Sequence, residues 1–238
     1  MTGEFGHQGA IRGSFEEYGY TQISGAVSNP VAAALTAALD AMPVGGFRQS
    51  GAVPFAIRNV ARKAEVITHL LREGEIYALA SRFLNGPPSL VTAILFDKLP
   101  GANWKVPAHQ DQYFPVVGST DEPGWRNWSR KENVDHVEPP TAILSNLVAL
   151  RIHLDDCPIG HGELQVMPGT HSHLLSHEAL RDLDMNRFIR LPASRTDVIA
   201  LRPLLVHRSH ASQNPNRRRV LHVVYSDKTL PAGLSWAG

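Results

Sequence analysis

Three residues of this chain have the type and spacing to hold one metal ion: His109 and Asp111, separated by Gln110, and His207 far downstream. Two imidazoles and a carboxylate on one face of an octahedron leave three positions open, for a bidentate co-substrate and for oxygen. A His-X-Asp segment on a strand sends both side chains to one face, because strand side chains alternate with period two. The second histidine must then arrive from a distant strand. The chain offers two such segments, His109-Gln110-Asp111 and His153-Leu154-Asp155. The first follows a Pro-containing loop (NWKVPA) that suits the mouth of a barrel; the second lies within an alternating strand. The distant partner favours the first. Arg202 to Val206 runs directly into His207, and Arg218 follows eleven residues later, before the strand-like run Val220 to Tyr225. A dicarboxylate that chelates a metal at one end needs a cation at the other, and a planar guanidinium pairs bidentately with a carboxylate. Arg219 competes with Arg218 for that role, since only one of two adjacent strand residues faces inward.

Other residues invite weaker readings. His171, His173 and Glu178 imitate the His-X-His and Glu spacing of a cupin metal site, but His171 to Arg181 reads as helical, which would point the two histidines apart. Trp104, Lys105, Tyr113, Phe114, Arg126 and Trp128 flank the first His-X-Asp on expected loops. Lys105 or Arg126 suits a substrate carboxylate, and Trp128 the lining of a co-substrate pocket; a structural role is the plainer reading of each. His69 falls in a helical segment as an ordinary surface or packed side chain.

These residues need a scaffold. Tyr20 to Val27 reads as a strand, Val31 to Met42 as a helix ending before Pro43, and Asn59 to Leu71 with Glu75 to Phe83 as a helical pair. After Pro87-Pro88 the pattern changes to short extended runs with Pro and Gly punctuation, among them Leu90 to Phe96, Ala149 to Leu154, Glu163 to Met167 and Asp197 to Leu201. Ser176 to Asn186 is expected to be helical. Helices first and short strands later predict a mainly β protein with flanking helices around a jelly-roll, double-stranded β-helix core. The expected organisation is one domain over 1–238: a flexible arm to residue 13, a strand and supporting helices over 14–90, and the core with its metal site over 91–230.

Of the 238 residues, 43% are hydrophobic and 19% charged, an ordinary globular mixture, and the formal net charge of +1 gives no reason to expect nucleic acid or an anionic membrane as partner. The single cysteine, Cys157, permits neither an intrachain disulfide nor a cysteine-based zinc site, and is expected as a small buried filler. No run of eighteen apolar residues and no leader-like apolar segment is visible. A cytoplasmic protein with a small-molecule substrate is the expectation.

Taken together, the stretches AILFDKLPGANWKVPAHQDQ, DHVEPP, LRIHLDDCPIGHGELQVMPGTH and RPLLVHRSHASQNPNRRRVLHVVYSD resemble, in order, the phytanoyl-CoA dioxygenase family, especially its small bacterial members. The opening GYTQISGAVSNPVAAALTAAL fits the family's N-terminal strand and helix. The resemblance implies iron(II), 2-oxoglutarate and O2 as cofactors, with His109, Asp111 and His207 as catalytic iron ligands. It implies that Arg218 holds the far carboxylate of 2-oxoglutarate, with Ser209 and Gln110 nearby, and that His153 to Asp155 is structural. Bacterial relatives usually carry Trp where this chain has Ala108, which would reshape the pocket. The family's halogenating relatives have a small residue at the position of Asp111, so halogenation is not expected. The implied reaction is hydroxylation of an unactivated C–H bond in secondary metabolism, with desaturation or ring closure as variants. The alternative is a non-catalytic or differently metallated cupin-like binding protein.

Overall fold

The computed structural model describes residues 3–42, 48–50, 53–99, 103–213 and 216–238. Its strands, in chain order, are β1 (Tyr20–Ile23), β2 (Arg48–Ser50), β3 (Val53–Ile57), β4 (Ser89–Lys98), β5 (Val106–His109), β6 (Phe114–Gly118), β7 (Arg126–Lys131), β8 (Val134–Glu138), β9 (Val148–His153), β10 (Leu164–Val166), β11 (Ile189–Leu191), β12 (Val198–Leu201), β13 (His207–Ser209), β14 (Arg218–Ser226) and β15 (Leu234–Trp236). The helices are α1 (Gly3–Tyr18), α2 (Asn29–Asp40), α3 (Glu65–Arg72), α4 (Gly74–Ser81), α5 (Thr141–Leu144) and α6 (His177–Arg181). A seven-stranded sheet in the order β1-β12-β9-β14-β4-β3-β2 faces a four-stranded sheet in the order β11-β10-β13-β5. A third sheet, β15-β6-β8-β7, stands beside them. This is a jelly-roll core of mainly antiparallel sheets with helices outside, as the pattern of elements predicted.

Period two decides what each face of the large sheet does. On one face Ala93 and Leu95 of β4, Leu150 and Ile152 of β9, and Leu221, Val223 and Tyr225 of β14 form the main apolar core. Leu35 and Leu39 of α2, Ile67 and Leu71 of α3, and Ile76 of α4 cover that face. The buried hydroxyl of Tyr225 donates to the Leu71 carbonyl at 2.8 Å, satisfying its one polar atom. The alternate positions, Thr92, Ile94, Phe96 and Lys98 on β4 and Arg218, His222 and Val224 on β14, line an internal cavity. A smaller apolar cluster, including Ile199, Leu201, Val166, Leu204 and Leu205, fills the rest of the space between the two facing sheets.

Several elements differ from the sequence reading. The expected loose arm is helical from Gly3, and its second half is anchored: Phe15 is fully buried against Phe83 at 4.7 Å between ring centroids, and the Arg202 guanidinium lies 4.5 Å over the Phe15 ring. Glu16 receives Arg202 at 2.8 Å. The glycines of this segment argue against a helix locally, and tertiary contacts override them. Asn59 to Leu71 is not one helix, because Ala64 is extended between the 3-10 turn Val60–Lys63 and α3. Ser176 to Asn186 shortens to α6, capped by the Ser176 hydroxyl, and a separate turn, Met185–Arg187. The α2 helix ends before Pro43, which itself lies outside the described residues. Among the described residues no helix is long and apolar enough to cross a membrane.

Phe15→Ala removes the anchor of α1 and is expected to cost roughly 3–5 kcal/mol in urea-induced unfolding. A loss below about 1 kcal/mol would mean that α1 is not part of the folded unit.

Candidate metal centre

The two imidazoles of the centre come from directly opposed positions on neighbouring strands. His207 on β13 is the Cα partner of His109 at the end of β5, and their ring centroids are 4.2 Å apart. Each ring is fixed by its Nδ1–H, which donates to the backbone carbonyl two residues earlier: Pro107 for His109 at 2.9 Å, Leu205 for His207 at 2.8 Å. That bond selects the tautomer and leaves each Nε2 lone pair facing the cavity, the arrangement a metal-binding histidine needs. Asp111 follows just past the end of β5, its backbone N–H donating to the Pro203 carbonyl at 2.8 Å. Its carboxylate lies 3.4 Å from His109 Nε2 and 3.7 Å from His207 Nε2. One ligand atom from each residue falls within 4.8 Å of the others. Neighbouring ligands around a small octahedral ion at about 2.1 Å stand about 3 Å apart, so this donor set fits such an ion after a small contraction.

The electrostatics agree. Burial would raise the Asp111 carboxyl, but the imidazoles of His207, His109 and His222 outweigh it and hold the group well below the usual carboxylate range. Burial pushes His207 down to about 3, with His109 adding to the shift. An ionised carboxylate beside a neutral imidazole is ligand-ready. His109 goes the other way: burial lowers it, but the hydrogen bond and charge of Asp111 raise it overall.

The centre opens into a cavity of about 1030 Å³. Ser209 and Arg218 line it, and Arg218 is 3% exposed, with no hydrogen-bond partner for its Nε. Arg219 turns to the opposite face, where Asp155 and Asp40 receive it at 2.7 and 2.8 Å. Strand parity thus turns Arg218 into the cavity and Arg219 away from it. Asp155 lies beyond the end of β9 and His153 is buried in the sheet, so the second His-X-Asp does not converge with the first.

Three sequence readings are corrected. Gln110 borders the cavity, but its side-chain amide is spent on backbone: Nε2 donates to the carbonyls of His173 and Leu204 at 2.9 and 2.5 Å, and Oε1 accepts from Leu175 N–H at 2.8 Å. It clamps the loop after β10 and has no hydrogen-bonding capacity left for a co-substrate. Trp128 is exposed on β7, an outer hairpin strand, and does not line the cavity. Arg126 on the same strand is held by Glu138 at 2.5 Å and does not line it either. Trp104, Lys105, Tyr113 and Phe114 do line the cavity, as does Ala108. The His171 to Arg181 segment is not one helix, yet the cupin-like reading fails for a different reason. His171 Nε2 bonds the Glu16 carbonyl and its ring packs on Gly19, a position with φ of +81° where a Cβ would come within 2.5 Å of that ring. His173 Nδ1 is bonded to Ser172 Oγ.

Among the lining residues that the sequence reading passed over are Arg151, Lys98, Thr92 and His222, the last with its Nε2 3.7 Å from Asp111. For His222 the signal was the strand period itself, since it falls on the same parity of β14 as Arg218.

With the geometry in place, the chain can be set beside known proteins. The family description of phytanoyl-CoA dioxygenase (PhyH) matches residues 15–220. The chain belongs to the phytanoyl-CoA dioxygenase family. Among solved structures similar to this family member is SnoK, a non-haem alpha-ketoglutarate-dependent carbocyclase from nogalamycin biosynthesis. It is 19% identical, with a TM-score of 0.69, over 92% of this chain and 83% of that one. The epimerase SnoN, solved with Fe3+, alpha-ketoglutarate and nogalamycin RO, is 16% identical, with a TM-score of 0.70, over 99% and 88%. HygX from Streptomyces hygroscopicus, with nickel, 2-oxoglutarate and hygromycin B bound, is 14% identical, with a TM-score of 0.64, over 93% and 88%. These likenesses establish the fold. A search of curated proteins gave no match.

The buried histidines set an acid limit on the metal-free protein. His153 is lowered to about 3 by burial and the nearby arginines, His207 to about 3, and His222 to about 4 by burial. The unfolded chain takes up protons at these positions below about pH 6.5 while the native state does not, so stability is full above that pH and falls as pH drops toward 4. The raised His109 works in the opposite sense and offsets part of the loss. Urea midpoints between pH 7 and 4.5 should fall, and less steeply in His153→Leu. A flat profile would show that these rings are not buried neutral.

Proposed function

We propose that the protein is an iron(II)- and 2-oxoglutarate-dependent dioxygenase that hydroxylates a C–H bond of a small molecule, in secondary metabolism. The observation that carries this reading is the pairing of a His109–Asp111–His207 triad with an unpaired, buried Arg218 in one cavity. His109, Asp111 and His207 would hold the metal, and Arg218 the far carboxylate of 2-oxoglutarate, with Ser209 beside it. Family membership supports the cofactor set, and three relatives of the same fold act on or bind biosynthetic small molecules.

When bound, iron supplies oxygen activation coupled to decarboxylation of the 2-oxo acid: substrate C–H, 2-oxoglutarate and O2 become substrate C–OH, succinate and CO2. The protein's residues do the rest. Asp111, ionised, and two imidazoles of fixed tautomer give a rigid three-point mount with one face open. The guanidinium of Arg218 sets the direction of the dicarboxylate by a charged, bidentate contact in a desolvated site. Ile94, Phe96 and Phe114 give the cavity apolar walls that keep bulk water from the reacting carbon. The structural relatives include a carbocyclase and an epimerase, so ring closure and epimerisation stand beside hydroxylation as outcomes for a substrate assay to distinguish.

An anaerobic titration of iron(II) and 2-oxoglutarate, followed by visible absorbance, tests the reading. The charge-transfer band of an iron-bound 2-oxo acid should form in the wild type and be absent in His109→Ala and His207→Ala. Arg218→Ala should raise the 2-oxoglutarate requirement by roughly 30-fold or more, the usual cost of truncating one partner of a buried charged pair. Arg219→Ala should leave that requirement within about threefold, because its partners are Asp155 and Asp40. No band in folded, iron-loaded wild type would overturn the assignment.

A further inference from the structure

All three residues of the triad reach the centre from one side. His109 and His207 stand on β5 and β13 of the four-stranded sheet, and Asp111 lies just past β5. Among the described residues, the large sheet facing them brings one ionisable side chain into ion-pair reach of the carboxylate. It is His222 of β14, whose Nε2 is 3.7 Å from Asp111 Oδ2. The ring is 5% exposed and stands 6.0 Å from the Phe96 ring in an edge-on contact. Its Cα partners are Ile94 on β4 and Arg151 on β9, so the centre of the sheet holds it in place. Its Nδ1 is buried and has no hydrogen-bond partner. A buried imidazole normally bonds through at least one nitrogen, and the acceptor nearest to this one is a carboxylate of the metal centre.

Tautomers separate this histidine from the two ligands. His109 and His207 commit their Nδ1 hydrogens to the carbonyls of Pro107 and Leu205. Their Nε2 atoms therefore carry lone pairs and, once these face a metal, have nothing to donate to Asp111. No carbonyl meets Nδ1 of His222, so its hydrogen belongs on Nε2, facing the carboxylate, in either charge state of the ring. We infer that His222 is a positioning residue, whose Nε2–H donates to the Asp111 oxygen that the metal does not take. The 3.7 Å separation is about 0.7 Å longer than such a bond. The donor set itself must contract by a similar amount around a small ion, and both gaps close in one movement of the carboxylate. The inference rests on the metal-dependent part of the oxygenase reading. Its consequence is for the open face as well as for affinity. A carboxylate that turned both oxygens to the ion would take one of the three positions that a bidentate 2-oxo acid and O2 need. A hydrogen bond on the outer oxygen opposes that turn.

Iron(II) affinity, measured anaerobically without 2-oxoglutarate by competition with a chromophoric chelator, tests this on wild type, His222→Phe and His222→Gln. Phenylalanine keeps a flat ring without a donor; glutamine places an N–H near the position of Nε2 without the ring. His222→Phe should bind iron(II) roughly tenfold or more weakly than wild type, and His222→Gln should stay within about threefold of it. At saturating iron, the charge-transfer band formed on adding 2-oxoglutarate should shift in His222→Phe and return to the wild-type position in His222→Gln. If His222→Phe does not fold, judged by circular dichroism of the metal-free protein, His222→Leu takes its place with the same expectation. Unchanged iron affinity in a folded variant without the donor would overturn the inference. So would a loss in His222→Gln equal to that in His222→Phe, since the imidazole itself would then be what the metal needs. Iron binding by wild type with no band counts against the oxygenase reading, and a weakened His222→Phe would still support the positioning role. A wild-type band with unchanged affinity in His222→Phe does the reverse. No iron binding by folded wild type would overturn both.

Discussion

Everything in this molecule is arranged around ionised groups kept inside a protein without permanent partners. Arg218 and Arg151 are both buried, and neither has a carboxylate against it among the described residues. Leaving one such charge uncompensated costs a domain roughly 3–5 kcal/mol, a large share of the 5–15 kcal/mol by which domains are normally stable. The opposite face of the same sheet supplies the compensation. There Leu95, Leu150, Ile152, Leu221, Val223 and Tyr225 are sealed by α2, α3 and α4 into a continuous apolar core. A two-faced sheet lets the helices stabilise one side so that the other can stay polar and open.

That division explains the role of the N-terminal half. Its helices contribute no side chain to the metal centre, yet they cover the sheet that carries Arg151, Arg218 and His222. The link is closest at Arg202, which bonds Glu16 of α1, stacks on Phe15, and begins the segment that runs through Leu205 to His207. Leu205 itself accepts the hydrogen bond that orients the His207 ring. Packing of α1 and the orientation of a proposed metal ligand are therefore connected through the six consecutive residues Arg202 to His207.

The triad and the preferred arginine were legible because their signal is local or pairwise: a His-X-Asp of period two, a strand ending in His207, and Arg218 after a short return. The jelly roll was legible from the change of pattern after Pro88. Trp128 and Gln110 were misjudged because sequence neighbourhood does not show which way a hairpin leans or what an amide finds to bond. Trp128 lies on β7, at the edge of the third sheet, whereas Phe114, in the same sheet, turns inward. Gln110 alternates away from its two neighbours and meets two backbone segments, His173 to Leu175 and Leu204, that only the folded chain brings together. The α1 helix was hidden by its glycines, and its docking depends on Phe83 and Arg202, both distant in sequence.

Arg151 shows how much more the alternation contained. The sequence reading stopped at His153 to Asp155, set aside as structural, and did not single out Arg151 two positions earlier on the same strand. On parity alone Arg151 shares a face with His153, and through the β9–β14 register it shares one with His222 and Arg218. A strand that places Arg, His and Ala on one face and Leu and Ile on the other, in the middle of a seven-stranded sheet, cannot be solvated on its polar side by bulk water. The polar face must therefore look onto a cavity, and the charge on that face is a constraint on what fills it. Carboxylate-poor walls with two unpaired guanidiniums select for ligands that bring the missing anions with them. On the proposed reading the inner face of the large sheet would carry the specificity of the site, and the triad its reactivity.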